Sequence, residues 1–246
     1  MRSNSCSRCG LAVVLIVAGR MLLFGSGAFP ASAQAPPPAP QPTASARAPA
    51  PRFVVVLDAA HGGDDSGGRL QGDQLEKNFT LAFSVRLRSL LAARGIQVVT
   101  TREQDVTVDT DRRAAIANHS DAQACLSLHA SQSGQGVHLY VSSLAPAEPS
   151  QFLAWKTAQA AWITRSVTLA GMLNGALTHG GLTVLDGRVG LPGLDSMTCP
   201  AVAVEIAPEG ANSKNSDGLA DPDYQARVAG ALAAGLLQWR TEGRQP

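Results

Sequence analysis

Short, continuously apolar runs rich in β-branched residues recur along the chain, and they restrict its possible folds more than any other feature. Phe53–Leu57, Ala124–Leu128 and Ala201–Ile206 are such runs, and polar residues follow each of them. A strand without polar alternation is typical of burial on both faces, as in sheets that helices cover on both sides. Ile96–Thr101 and Val137–Val141 also have strand patterns.

Stretches with helical spacing separate these strands. Leu75–Arg94 has apolar residues three and four positions apart, and Gly95 stands where a left-handed C-terminal cap is expected. Further helices are predicted over Asp109–Asn118, Pro149–Leu177 and Asp223–Trp239, and a glycine-rich loop is predicted before the last strand. The alternation predicts a single α/β domain: a mostly parallel twisted sheet with helices on both faces.

The N-terminal part has the composition of an export signal. Residues 1–33 contain arginines, then an apolar stretch, then Ala31-Ser32-Ala33, which is typical of a signal-peptide cleavage site. Residues 34–52 are rich in proline and alanine and are predicted to be a linker, which leaves 53–242 as the folded domain. A periplasmic protein is predicted, with secretion or an uncleaved membrane anchor as alternatives.

The charge of the chain excludes one class of function. The formal net charge is +1 with both signs interspersed, which lacks the basic stripe of nucleic-acid-binding proteins and excludes that class. A monomer is expected.

The four cysteines fall into two pairs. Cys6 and Cys9 would leave with the signal peptide. Cys125 and Cys199 would be free to form a bridge after export, but cysteines on strands are more often buried thiols, so free thiols are expected.

Four side chains are predicted to meet at one edge of the sheet. His61 follows the first strand, His129 ends the third, Glu205 lies near the end of a late strand, and Glu76 begins the first helix. Ligand sites in open α/β sheets gather at the carboxyl ends of strands. Two imidazoles and one carboxylate can hold a catalytic zinc ion and leave a position for water, and a second carboxylate can then carry protons.

Several polar residues near these positions allow more than one interpretation. Asp58 either orients His61 or caps the following loop. Arg102 and Arg112 are interpreted as ion-pair or loop-holding residues, whereas His119 and His138 are interpreted as structural.

The ordered motifs resemble a known enzyme family, the zinc-dependent N-acetylmuramoyl-L-alanine amidases, or type 3 amidases. The resemblance covers about Phe53–Trp239. Its motifs are Val54–Gly63, Glu76–Asn78, Ile96–Arg102, Arg112–Asn118, Cys125–Ala130 and Pro200–Glu205.

The resemblance implies a function for the predicted site. His61, Glu76 and His129 would bind Zn²⁺, and Glu205 would be the general base. The domain 53–242 would then hydrolyse the amide between N-acetylmuramic acid and L-alanine in peptidoglycan. Some family members carry a helix that blocks the zinc site until an activator protein removes it, and residues 147–175 are a candidate for such a helix.

Two alternatives stay open at this point. The altered motifs at Ala59-Ala60 and Ala207-Pro208 allow a non-catalytic peptidoglycan-binding module on the same fold. A zinc peptidase that cuts stem peptides would use the same ligands.

Overall fold

Six strands form one sheet in the computed structural model, which describes residues 52–148, 152–210 and 218–242. The predicted signal peptide, nearly all of the predicted linker, Cys6 and Cys9 lie outside these residues. The strands are β1 (Val54–Ala59), β2 (Gln97–Thr100), β3 (Ala124–Ala130), β4 (Val137–Ser142), β5 (Val184–Val189) and β6 (Ala201–Ile206). Their order is β2-β1-β3-β6-β4-β5, and only the β4–β6 pair is antiparallel. The predicted mostly parallel sheet is confirmed.

Helices cover the sheet on both faces, as predicted. They are α1 (Glu76–Ala92), α2 (Thr110–Asn118), α3 (Ile163–His179), α4 (Pro192–Asp195) and α5 (Pro222–Glu242). Successive side chains of a strand point to opposite faces. Val55 and Leu57 therefore pack into a large core with α1, α3 and α5, while Val56 packs into a smaller core with α2 and α4. This double burial explains why β1 has no polar alternation.

Two of the predicted helices have the expected ends. Asp109 caps α2, because its side chain accepts a hydrogen bond from the backbone N–H of Arg112. Gly95 follows α1 with φ of 72°, in the left-handed region where glycine is favoured. The helix predicted over Pro149–Leu177 is wrong at its start. A 3-10 segment occupies Trp155–Trp162, α3 begins only at Ile163, and residues 149–151 lie outside the described part of the chain.

Strand β5 lies where the sequence predicts a glycine-rich loop, and that prediction is wrong. Its six residues include Asp186, Gly187 and Arg188, and all six are exposed or half-buried. It pairs only with β4, so it is an edge strand. An edge strand gains its backbone hydrogen bonds from one neighbour without needing an apolar face, so hydropathy did not reveal it.

Cys125 and Cys199 form a disulfide, which corrects the expectation of free thiols. Cys125 lies near the start of β3, and Cys199 lies just before β6, the parallel neighbour of β3. The backbone N–H of Cys125 donates to the carbonyl of Pro200, and the two Cα atoms are 6.2 Å apart, within bridging distance. The two cysteines are 74 residues apart in the sequence, and the order of the strands brings them together.

The parallel strands β1, β3 and β6 bring their carboxyl ends to one edge of the sheet. Ala59 pairs with Leu128, and His129 pairs with Glu205, so β1 and β6 flank the strand that carries His129. Helix α1 begins beside this edge, which positions Glu76 near both histidines. No helix among the described residues is long and apolar enough to cross a membrane.

Candidate metal centre

His61, Glu76 and His129 meet at the carboxyl edge of the sheet. Nε2 of His61 lies 3.1 Å from Oε2 of Glu76, and Nδ1 of His129 lies 3.1 Å from Oε1 of the same carboxylate. One donor atom from each residue lies within 4.8 Å of the other two. The structure thus brings together the three residues that the sequence predicts as ligands, and two imidazoles with a carboxylate suit a zinc ion.

Glu76 is buried and is held as a carboxylate. Burial alone would raise its pKa, but hydrogen bonds from His129 and His61 and from the backbone N–H groups of Gly68 and Ala130 outweigh burial and hold the pKa well below its usual range. The hydrogen bond with Glu76 is the largest influence on His61 and raises the pKa of its imidazole. A cation bound here would take the place of that proton.

The loop that carries His61 has an unusual backbone. His61 has φ of 62°, a left-handed conformation that is uncommon outside glycine and clusters at functional sites. Gly67 packs against it: a Cβ at residue 67 would lie 2.6 Å from Cδ2 of His61 and 2.8 Å from Cβ of Glu76. Residue 67 must therefore be glycine for the loop to approach the first turn of α1 this closely.

Asp65, which sequence reasoning missed, orients His61. Its Oδ2 lies 2.8 Å from Nδ1 of His61, which leaves Nε2 directed at Glu76. Asp58 does not contact His61, so its interpretation as the orienting residue is wrong. Asp58 instead accepts a hydrogen bond from Ser127, whose hydroxyl lies 3.4 Å from Nε2 of His129. The signal for Asp65 was its position four residues after His61 on a tight loop.

Two buried arginines donate hydrogen bonds to the backbone of the segment that carries His61. Arg102 donates to the carbonyl oxygens of Ala59, Ala60 and Lys77, as a loop-holding residue should. Arg112, which the sequence suggested for a similar task, is exposed, and its neighbour Arg113 performs it.

Arg113 connects the end of β1 to α2. Its guanidinium donates to the Asp58 carboxylate at 2.7 Å and to the carbonyl oxygens of Ala59, His61 and Val108. Arg113 precedes Ala117 by four residues, so both lie on the same buried face of α2.

Glu205 pairs with His129 from the neighbouring strand β6 and lies outside the three-residue cluster. The two residues line a recess of about 300 Å³, which we call the base recess. The other lining residues are Tyr140, Val189, Leu191 and Ala203. The Glu205 side chain is 31% exposed, and its Oε1 lies 2.9 Å from Nδ1 of His138, a histidine interpreted as structural from the sequence. The carboxylate is therefore accessible from the recess while one of its oxygens is held.

A second recess of about 310 Å³, the loop recess, lies on the other side of His129. Its walls include His61, residues 107–110 and residues 191–194. His129 and Leu191 line both recesses, so the two form adjoining parts of one cleft. None of the described residues of 152–179 lines either recess, because α3 packs against α5 and the sheet. The described residues of the candidate blocking region therefore do not line the cleft.

Comparison with known proteins identifies the family. Residues 55–238 match the family model described as N-acetylmuramoyl-L-alanine amidase. The germination-specific N-acetylmuramoyl-L-alanine amidase of Bacillus subtilis is 27% identical over 213 residues, covering 78% of this chain and 82% of that protein. The match to the amidase AmiA of Escherichia coli is 38% identical over 77 residues, which span 31% of this chain and 27% of AmiA.

A solved structure agrees with the sequence matches. The catalytic domain of CwlV, an N-acetylmuramoyl-L-alanine amidase from Bacillus (Paenibacillus) polymyxa var. colistinus, superposes with a TM-score of 0.59 at 28% identity, covering 77% of this chain and 98% of that domain. The family resemblance of the motifs and the α/β fold predicted from the alternation of strands and helices are thereby confirmed. Because the family model spans more than half of the sequence, this chain belongs to the N-acetylmuramoyl-L-alanine amidase family.

Proposed function

We propose that this chain hydrolyses the amide between N-acetylmuramic acid and L-alanine in peptidoglycan, with a zinc ion held by His61, Glu76 and His129. The observation that carries the proposal is the convergence of three donor atoms within 4.8 Å, beside a carboxylate that is not part of the cluster. This is the arrangement that a zinc hydrolase needs: three protein ligands and a separate proton carrier.

The donor set fits zinc. Two neutral imidazoles and one carboxylate would leave a bound Zn²⁺ net positive, so that it would polarise a carbonyl and lower the pKa of a bound water to about 7. The chain's own residues do the rest. Glu205, facing His129 across the β3–β6 pair, takes a proton from the attacking water and passes it to the amide nitrogen, so that the C–N bond breaks and the amine leaves.

The cleft has room on both sides of His129 for the two halves of such a substrate. The base recess and the loop recess adjoin at His129 and Leu191, so a bond held at the metal would extend into both. A muramyl peptide, with a sugar on one side of the amide and a peptide on the other, suits this shape.

Metal analysis and product analysis of the purified protein test the proposal. We expect about one zinc ion per chain. Chelation should stop the release of peptides with a free L-alanine amino group from muramyl peptides, and added zinc should restore it. The His129→Ala variant should lose both zinc and turnover.

Two other outcomes correspond to the alternatives. Fragments cut within the stem peptide, identified by mass, would indicate a zinc peptidase. Binding to cell-wall sacculi without turnover, unchanged in a Glu205→Ala variant, would indicate a binding module. An activator protein and the monomeric state stay predictions of the sequence.

Asp65→Asn is expected to weaken zinc binding by about 10- to 100-fold, because loss of the carboxylate that orients a ligating imidazole typically has that effect. Asp64→Asn is the matched control, since Asp64 is the exposed neighbour and, within the described part of the chain, only its backbone N–H makes a hydrogen bond, to Thr107. Competition with a chromophoric chelator measures both affinities. Equal affinities for the two variants would contradict the orienting role of Asp65.

We infer that the domain works outside the cytoplasm, in the periplasm. The disulfide between Cys125 and Cys199 supports export, because such bridges form in oxidising compartments. Residues 1–33 would act as the signal peptide and 34–52 as the linker to the catalytic domain 53–242. Mass spectrometry of the exported protein should give an N-terminus at Gln34. A chain that begins at Met1 in the membrane fraction would favour the anchored alternative.

A further inference from the structure

His138 lies directly beside the proposed base. Strand β4 runs antiparallel to β6 and pairs His138 with Glu205, so the two side chains project from the same face of the sheet. Nδ1 of His138 lies 2.9 Å from Oε1 of Glu205. His138 is buried, with 9% of its side chain exposed, whereas Glu205 faces the base recess. The histidine therefore contacts the base from the protein side and not from the substrate side.

The His138 ring is fixed in one orientation. Its Nε2 lies 3.2 Å from the carbonyl oxygen of Gln135, and its edge packs against Tyr140 with ring centroids 6.2 Å apart. The backbone closes over the ring at Gly134: a Cβ there would lie 2.6 Å from Cε1 of His138. Gly134 has φ of 87°, so this close approach depends on glycine. A ring held on three sides cannot turn away from Glu205.

The hydrogen bonds of His138 use both of its ring nitrogens. Nε2 lies within hydrogen-bond distance of the carbonyl oxygen of Gln135. Nδ1 lies within hydrogen-bond distance of Oε1 of Glu205, and the Tyr140 hydroxyl lies 3.4 Å from the same nitrogen. Oε1 is thereby held in place. Among the described residues Oε2 has no hydrogen-bond partner, which leaves it available to the attacking water.

The geometry points to His138 as the positioning residue of the amidase, which acts on the reaction through Glu205. It fixes one carboxylate oxygen so that the other faces the substrate side of the cleft, and it does not itself touch the substrate. This inference rests on the proposed function, in which Glu205 moves the protons.

Two substitutions at residue 138 separate a positioning role from a structural one. His138→Phe keeps a flat ring but removes the Nδ1 donor, and kcat should fall about 100-fold, the loss expected when a catalytic group is misplaced by about 1 Å. KM should change less than about threefold and zinc content should stay the same, because neither depends on the base. His138→Asn retains a side-chain N–H near the position of Nδ1 and should recover kcat to within about tenfold of the wild type.

A double-variant cycle gives the decisive readout. In the Glu205→Gln background His138→Phe should lower kcat by less than about threefold, because its effect passes through the missing carboxylate. The control is His119→Phe at the exposed C-cap of α2, which should leave kcat unchanged. If His138→Phe does not fold, His138→Ala takes its place in every comparison.

Each outcome decides the inference. An active wild type with unchanged kcat in His138→Phe overturns the positioning role alone, and so does an equal loss of kcat in the Glu205→Gln background. A wild type without turnover overturns the proposed function and the role of His138 with it.

Discussion

Glu205→Gln is expected to lower kcat by about 10²- to 10⁴-fold, which is the range for loss of a general acid-base. Glutamine has nearly the same size, and its amide oxygen can still accept a hydrogen from His138, but it cannot take a proton from water. Zinc content should remain that of the wild type, because Glu205 lies outside the cluster of three donors. Steady-state kinetics on a muramyl peptide, with metal analysis of the same preparation, measures both quantities.

The matched control is Glu103→Gln, which removes the charge of an exposed glutamate that pairs with Arg88. Its kcat should be unchanged. A Glu205→Gln variant that retains more than about a tenth of the wild-type kcat would assign proton transfer to another group.

Arg113→Met is expected to lower the free energy of unfolding by about 3–5 kcal/mol, the usual result when one partner of a buried ion pair is removed. Arg113 and Asp58 are both buried, and methionine would leave the Asp58 carboxylate without its cation. The carbonyl oxygens of Ala59 and His61 would also lose a donor. Urea unfolding at neutral pH measures the difference, with Arg112→Met as the control.

Arg112 is the adjacent residue of the same helix but is exposed, so Arg112→Met should change stability by no more than about 0.5 kcal/mol. Adding Asp58→Asn to Arg113→Met should recover part of the loss, because the unpaired buried charge is then absent. Equal destabilisation by the two arginine variants would mean that the Arg113–Asp58 pair does not stabilise the loop of His61.

The elements that could be predicted from the sequence are those whose buried residues form a recognisable apolar pattern. β1, β3 and β6 lie in the middle of the sheet and have continuous apolar runs, so their positions could be predicted to within a few residues. β5 lies at the edge with exposed side chains, and its pairing with β4 is encoded in backbone hydrogen bonds that no side-chain pattern reports.

The residues of the candidate site also fall into two groups, those that could be predicted from the sequence and those that could not. His61, Glu76, His129 and Glu205 could be predicted because each lies at the end of a strong element, and topology gathers such ends. The residues that form hydrogen bonds around these four could not be predicted. Asp65, Arg113 and His138 become important only through contacts fixed by a left-handed turn, a helical face and an antiparallel pairing. The pairing of Cys125 with Cys199 likewise follows from strand order.

The disulfide joins β3 and β6 at the end opposite to His129 and Glu205, and this has a mechanical consequence. The strand that carries a proposed metal ligand and the strand that carries the proposed base cannot slide past each other or part at their bridged end while the disulfide is intact. Partial opening of the sheet must begin between another pair of strands, either β1 and β3 or β6 and β4. Amide hydrogens shared by β3 and β6 should therefore be among the last to exchange, and reduction of the bridge should remove that protection.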